Sequence, residues 1–200
     1  MAAKKPIKST KSPEKPLKER AVAAALDLAG RMGWDMVTMT DIADVAQVGL
    51  AELSEMFDDK NDVLDAYGRM IDRAVLSTCA GFDPSTPEKD RLFELLMERF
   101  DALNENRAAV VSIFKSFLPD PKQAVIAFPH LGRSMAWMLE AAGIDAGGFR
   151  GAAKVFGLSV VYLNVLRVWI KDDTEDLSQT MAALDKNLAR AEQCANTFML

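Results

Sequence analysis

Residues 35–65 read DMVTMTDIADVAQVGLAELSEMFDDKNDVLD. Thr38 is placed to N-cap a helix over Met39–Ala46, with Asp41 at the third helical position, where a capping-box acid belongs. Gly49 turns the chain before a second short helix, expected over Leu50–Phe57 with Leu50, Leu53 and Phe57 inward. Asp59 caps a longer helix expected to reach about Cys79. Two short helices, a tight turn and a third helix form the layout by which helix-turn-helix proteins lay a helix in the DNA major groove. The charge runs the other way. Asp35, Asp41, Asp44, Glu52, Glu55, Asp58, Asp59, Asp62 and Asp65 face Lys60 as the only cation of the stretch, and a groove lined by phosphates disfavours such a set.

Upstream, Val22, Ala25, Leu26, Ala29 and Met32 recur at three- and four-residue steps, which predicts a helix over Leu17–Met32 stopped by Gly33, with Trp34 plugging the core behind the turn. Residues 1–16 hold Pro6, Pro13, Pro16 and a run of lysines, a composition that cannot bury apolar surface and predicts a disordered basic tail. Such a tail suits DNA phosphates or, in peripheral membrane contact, acidic lipid headgroups. Downstream, residues 81–87 form a Gly- and Pro-containing linker. Helices are then expected over Glu88–Asn104 and Glu105–Phe117, as a short piece after Pro121, and over Pro129–Ala142, Gly148–Lys171 and Thr174–Thr197. No stretch alternates with period two between turn signals, so the fold class is all-α. The division expected is a tail (1–16), a helix-turn-helix head with its linking helix (17–80) and a helical body (88–200).

The chain has 200 residues, half of them hydrophobic, and a formal net charge of −5, enough apolar material for a substantial core. Cys79 and Cys194 lack neighbouring ligand partners, so neither a zinc site nor a disulfide framework is indicated, and a reducing cytoplasm is the expected location. The N-terminus lacks a signal-peptide core, and the oily stretch Val155–Ile170 is interrupted by Ser159, Asn164 and Arg167, short of the ~20 residues that span a bilayer. A lone histidine, His130, offers no catalytic triad, and Gly143, Gly147, Gly148, Gly151 and Gly157 follow no strand and make no phosphate-binding fingerprint. No enzyme activity, metal or cofactor is expected.

In the body, Phe100, Phe114, Phe117, Trp137, Met138 and Phe156 make an aromatic and Met-rich interior. Such residues are ordinary core material and also line pockets for a small apolar ligand or lipid. Asn164 stands among apolar neighbours, where a buried amide needs a partner, in a ligand or across a dimer. The stretch Ala152–Ile170 is apolar nearly all round, so it is either a central strut or part core and part subunit interface. A homodimer through the last two helices is expected.

Ala25-Leu-Asp-Leu-Ala29 ahead of Gly33, Val37-Thr-Met-Thr-Asp-Ile-Ala43, Val48, Leu53, Phe57, Lys60 and Val63-Leu64 together resemble the TetR family of bacterial regulators over roughly Arg20–Ile71. The resemblance implies an all-α regulator with a ligand-binding, dimerising body. It also implies DNA contacts from Thr38, Thr40 and Lys60 to phosphates and from Gly49, Leu50, Ala51 and Ser54 in the groove-facing turn and helix. Here Gly49, Leu50, Ser54 and Met56 stand where that family usually has Ser, a cation, Tyr and His.

A second resemblance lies in Trp169-Ile-Lys-Asp-Asp-Thr-Glu-Asp-Leu-Ser-Gln-Thr-Met-Ala-Ala-Leu-Asp185, with Gly33-Trp34. These residues look like the coenzyme Q biosynthesis accessory family, TetR-like proteins that do not regulate genes. It implies binding of an isoprenoid or quinone-type lipid in the body and presentation of it to ubiquinone-pathway enzymes. Phe198-Met199-Leu200 stand where that family continues into a membrane-binding helix.

Overall fold

The computed structural model describes residues 16–78, 81–83, 85–117 and 121–198, the side chains of 121–128, 196 and 198 excepted. The basic tail and Cys79 lie outside them. Among the described residues all regular structure is helical: α1 (Leu17–Met32), α2 (Met39–Ala46), α3 (Leu50–Ser54), α4 (Lys60–Thr78), α5 (Glu88–Asn104), α6 (Arg107–Phe117), α7 (Pro121–Ala141), α8 (Gly148–Trp169) and α9 (Ser178–Phe198), with a 3₁₀ turn at Trp34–Met36.

The local chemistry at the ends of α1, α2 and α4 matches the sequence reading closely. Gly33 ends α1 at φ 91°, a conformation that a residue with a Cβ resists. Thr38 and Asp41 form a reciprocal capping box on α2. Asp59 caps α4, its carboxylate accepting from the Asn61 and Asp62 amides at 2.7 and 3.1 Å. Trp34 is buried and its amide donates to Ser112 Oγ of α6 at 2.9 Å, joining the head to the body. One core runs through both, from Ala21 and Ile42 to Leu96, Met138, Trp169 and Leu184.

Four expectations need correction. Helix α3 ends at Ser54 rather than Phe57, because Glu55 and Met56 enter a turn that brings Phe57 into the core. Leu50, at its start, is 49 % exposed instead of inward. Pro129 does not break the chain into two pieces. It sits inside α7, whose C-terminal half is anchored by buried Met135, Met138 and Leu139, and that burial offsets the one lost backbone bond. The stretch around Val155–Ile170 belongs to a 22-residue helix, α8, long and apolar enough by length and composition to cross a membrane. Its Leu158, Val161, Tyr162, Val165, Leu166 and Trp169 are instead buried in the protein.

The turn between α8 and α9 explains the motif at Trp169–Asp185. Asp172, 1 % exposed, accepts from the Thr174 hydroxyl (2.5 Å) and amide (3.2 Å) and from the Thr180 hydroxyl and amide (both 2.7 Å). Burial would raise its pKa, but these hydrogen bonds overcome it and hold the carboxyl at about 2. Arg107 of α6 reaches into the same turn, donating to the carbonyls of Trp169 (2.8 Å) and Asp172 (2.7 Å) with its guanidinium 4.7 Å from the Trp169 ring.

Candidate functional site

Two regions are candidate sites: the outer surface of α2 and α3, and a cleft beneath α4. On the first, the Thr38 hydroxyl donates to Asp41 Oδ2 at 2.6 Å and accepts from the Asp41 amide at 3.2 Å. Thr38 side-chain and backbone hydrogen bonds lower the pKa of Asp41, so a carboxylate of the protein occupies the α2 N-terminus, where a phosphate would sit. The Ser54 hydroxyl donates back to Ala51 O at 2.7 Å. Lys60 is turned inward. Its Nζ donates to the carbonyls of Trp34 (3.0 Å) and Val37 (3.1 Å) and stands 5.1 Å from the centre of the Trp34 ring, which leaves one of its three N–H groups.

Of the residues expected to contact DNA, Thr38, Thr40, Gly49, Leu50, Ala51 and Ser54 are exposed, the Thr38 and Ser54 hydroxyls being engaged by Asp41 and Ala51, while Lys60 is half-buried and directs its hydrogen bonds into the protein. Glu52, Glu55 and half-exposed Met56 complete the outer surface of α3. The turn behind it is held by Arg20, whose guanidinium donates to the carbonyls of Ala46 (2.7 and 3.1 Å) and Gln47 (2.8 Å). Gln47 adopts a left-handed φ of 55° there. In the sequence Arg20 reads as one more cation at the start of the first helix; only the fold reveals it as a clamp.

The body does not gather the expected aromatic pocket. Phe100 and Met138 are fully buried core, Phe100 stacking on Tyr162 at 5.3 Å. Trp137 and Phe156 face outward, 55 % and 59 % exposed. Phe114 packs partly buried against the core, and Asn164 accepts from Arg167 Nη1 at 3.2 Å on the surface side of α8. Helical phase explains the split: Met135, Met138, Leu139 and Ala142 point one way from α7, and Trp137 the other.

Phe117 lines the cleft beneath α4. This cavity, about 470 Å³, is walled by Leu64, Tyr67 and Gly68 of α4, Leu103 of α5, Val110, Ile113 and Phe117 of α6, His130 of α7, and Tyr162 and Leu166 of α8, with Asp59, Asn61 and Asp62 at the α4 end. Tyr67 is nine-tenths buried and its hydroxyl has no hydrogen-bond partner among the described residues. Burial pushes its pKa up to about 12, against a smaller opposing influence from the nearby Asn106 side chain, with which no hydrogen bond of normal geometry forms. His130 Nδ1 lies 2.6 Å from Asp65 Oδ1, and Asp65 pairs with Arg69 at 2.7 Å.

Directly behind the cleft, Asp72 of α4 accepts from Arg99 of α5 and, at 2.6 Å, from the Ser134 hydroxyl of α7; Arg99 Nε donates to the Tyr162 hydroxyl of α8 at 3.3 Å. The four residues are buried. They tie α4 to three body helices through one polar network, in which any unpaired member would be costly. A wider groove of about 790 Å³ follows the seam of α1, α4 and α6, and Tyr67 forms part of its wall as well. A third cleft, about 350 Å³, lies between α5, α8 and α9, with Lys89, Lys154 and Glu192 on its lining. The first and second share Tyr67 and a wall from α4, but the first is the more apolar of the two, whereas Glu19, Asp27, Arg31, Glu105 and Arg107 line the second. Tyr67 was legible in principle, since it continues the buried series Val63, Ile71 and Val75, where a phenol needs a partner for its hydroxyl.

The same arrangement of head and body recurs in solved structures. A TetR transcriptional regulator from Nitrosomonas europaea superposes with a TM-score of 0.71 at 24 % identity, over 90 % of this chain and 99 % of that one. The fold is that of the TetR regulators. A second, from Rhodococcus sp. RHA1, gives 0.66 at 17 % identity over 88 % and 95 % of the two chains. Thermus thermophilus FadR, a TetR-family repressor in complex with lauroyl-CoA, gives 0.58 at 21 % identity over 88 % and 93 %. No family profile matches the sequence, and no curated protein is similar to it.

Proposed function

We propose that this chain is a ligand-responsive transcriptional regulator of the TetR type, sensing an apolar small molecule in the cleft between α4 and α8. The observation that carries this reading is the double role of α4. It starts at Lys60, directly behind the recognition segment, and its Leu64, Tyr67 and Gly68 form one wall of the cleft. A molecule that enters must press on α4, and a shift of α4 moves the head. The lauroyl-CoA bound by the Thermus thermophilus repressor supports an apolar ligand for this fold. Exposed Phe149, Phe156 and Val160 recur at seven- and four-residue steps along α8, and exposed Met181 lies on α9, which supports a homodimer through the last two helices. In such a dimer, ligand would alter the spacing of two heads against half-sites about one DNA turn, ~34 Å, apart.

A second reading is favoured by one observation, the inward-turned Lys60 beneath an outer surface of Leu50, Glu52, Glu55 and Met56. It makes the chain an accessory protein that holds an isoprenoid or quinone-type lipid for ubiquinone biosynthesis and does not touch DNA.

One paired experiment separates them. The purified protein is extracted with organic solvent for mass spectrometry, and labelled DNA from upstream of its own gene is titrated by fluorescence anisotropy at several salt concentrations. Regulation requires binding that exceeds the affinity for random DNA by roughly a thousandfold or more at physiological salt and weakens with ligand. Weak binding confined to low salt, with an isoprenoid in the extract, would give the accessory reading instead.

A further inference from the structure

We infer that the α4–α8 cleft takes an uncharged, largely apolar molecule that presents a carbonyl-type oxygen to the Tyr67 hydroxyl. This rests on the ligand-responsive reading of the same cleft and adds to it the chemical class of the ligand. Two independent features point there. The first is the hydroxyl itself. It is buried with no partner among the described residues, on a side chain that lines the cleft, and a buried unpaired polar group costs free energy that an acceptor brought within reach recovers. The phenol holds its proton throughout the physiological range, since burial pushes its pKa up to about 12, so it acts as a donor and calls for an acceptor.

The second feature is the charge of the walls. Among the described residues no Lys or Arg lines the cleft, whereas Asp59 and Asp62 do. Arg99, the cation in the network behind it, is buried and engaged by Asp72 and Tyr162. A carboxylate or phosphate headgroup would find no lysine or arginine among the described lining residues, with His130 already paired to Asp65, and would sit beside two carboxylates, a costly position away from bulk water. A cationic headgroup would satisfy the acids but offers no acceptor to Tyr67. A neutral oxygen meets both conditions, and the apolar side chains opposite, such as Leu103, Ile113 and Leu166, take the hydrocarbon part.

The test uses the full chain and a matched set of probes: nonane, 2-nonanone, nonanoate and nonylamine, each displacing the neutral dye Nile red. The ketone is expected to bind tightest. In Tyr67→Phe its affinity should fall roughly 3- to 10-fold, the contribution of one neutral hydrogen bond, while nonane binding stays unchanged. Because the hydroxyl is unpaired in the free protein, Tyr67→Phe should unfold no lower than the parent, which a thermal melt checks. Ile113→Trp, which fills the cleft, should abolish binding of all four probes. Tighter binding of nonanoate or nonylamine than of the ketone overturns the inference, as does an equal loss of ketone and nonane in Tyr67→Phe. If even nonane and the ketone fail to displace the dye, the cleft is no ligand site and the functional reading falls with the inference.

Discussion

Asp172→Asn isolates the turn that joins α8 to α9. The native carboxylate is held at a pKa of about 2 against an ordinary 3.8, and at ~1.36 kcal/mol per pKa unit this corresponds to roughly 2 kcal/mol favouring the folded, ionised state. The side chain is 1 % exposed, yet the turn lies at the edge of the fold with few atoms packed beyond it, so solvent trims that figure rather than adding to it. Asparagine keeps the shape but turns an N–H₂ toward the Thr180 or Thr174 donors, leaving at least one of them facing another donor. The expected loss is about 2 kcal/mol at neutral pH, and for a chain of this size each kcal/mol moves the melting temperature by roughly 2–4 °C. The sign with pH follows from the lowered pKa: the contribution is complete above about pH 4 and disappears as pH falls toward about 2, so the gap between parent and variant should narrow on acidification. Urea unfolding at neutral pH and in steps down to about pH 3 measures both. A variant within about 0.5 kcal/mol of the parent at neutral pH, or a gap that does not narrow in acid, would refute the assignment of Asp172 as the anchor of this turn.

Arg20→Ala removes three hydrogen bonds from the α2–α3 turn and should lower global stability by about 1–3 kcal/mol, with faster hydrogen exchange at the Gln47 and Val48 amides as its local signature. Replacing Glu52 and Glu55 with lysine should convert the outer surface of α3 into a phosphate-binding one, strengthening nonspecific DNA binding and steepening its log–log salt dependence by about two counterions; an unchanged salt slope would mean that α3 does not meet DNA. Val160→Glu should shift the protein toward the monomer in sedimentation velocity, and a dimer that persists would place the subunit interface elsewhere than α8.

Helices α1, α2 and α4 were legible because their punctuation is chemical and local: a glycine at positive φ, a Thr–Asp capping box and an Asp cap specify their own ends whatever lies around them. Helix α3 was overextended because Leu50, Leu53 and Phe57 satisfy a helical period that the turn at Glu55 and Met56 interrupts, and that turn is decided by how Phe57 seats in the core. The break expected at Pro129 failed for the same reason, tertiary burial outweighing a local preference. Pocket residues were the least legible. Phe100, Trp137, Met138 and Phe156 are alike in composition and opposite in exposure, because a few tens of degrees of helical phase separate core from surface. Long-range polar partners were invisible for a different reason: nothing in the sequence joins Arg20 to Gln47, Arg107 to Asp172, or Asp72 to Arg99.

The central claim, that an apolar molecule binds beneath α4, is tested most directly by native mass spectrometry of the purified full-length protein beside its Ile113→Trp variant. The account predicts a bound small-molecule mass, or one acquired on adding 2-nonanone, that is present on the parent and missing from the variant. A parent that carries and acquires nothing, or a variant that binds equally well, would contradict it.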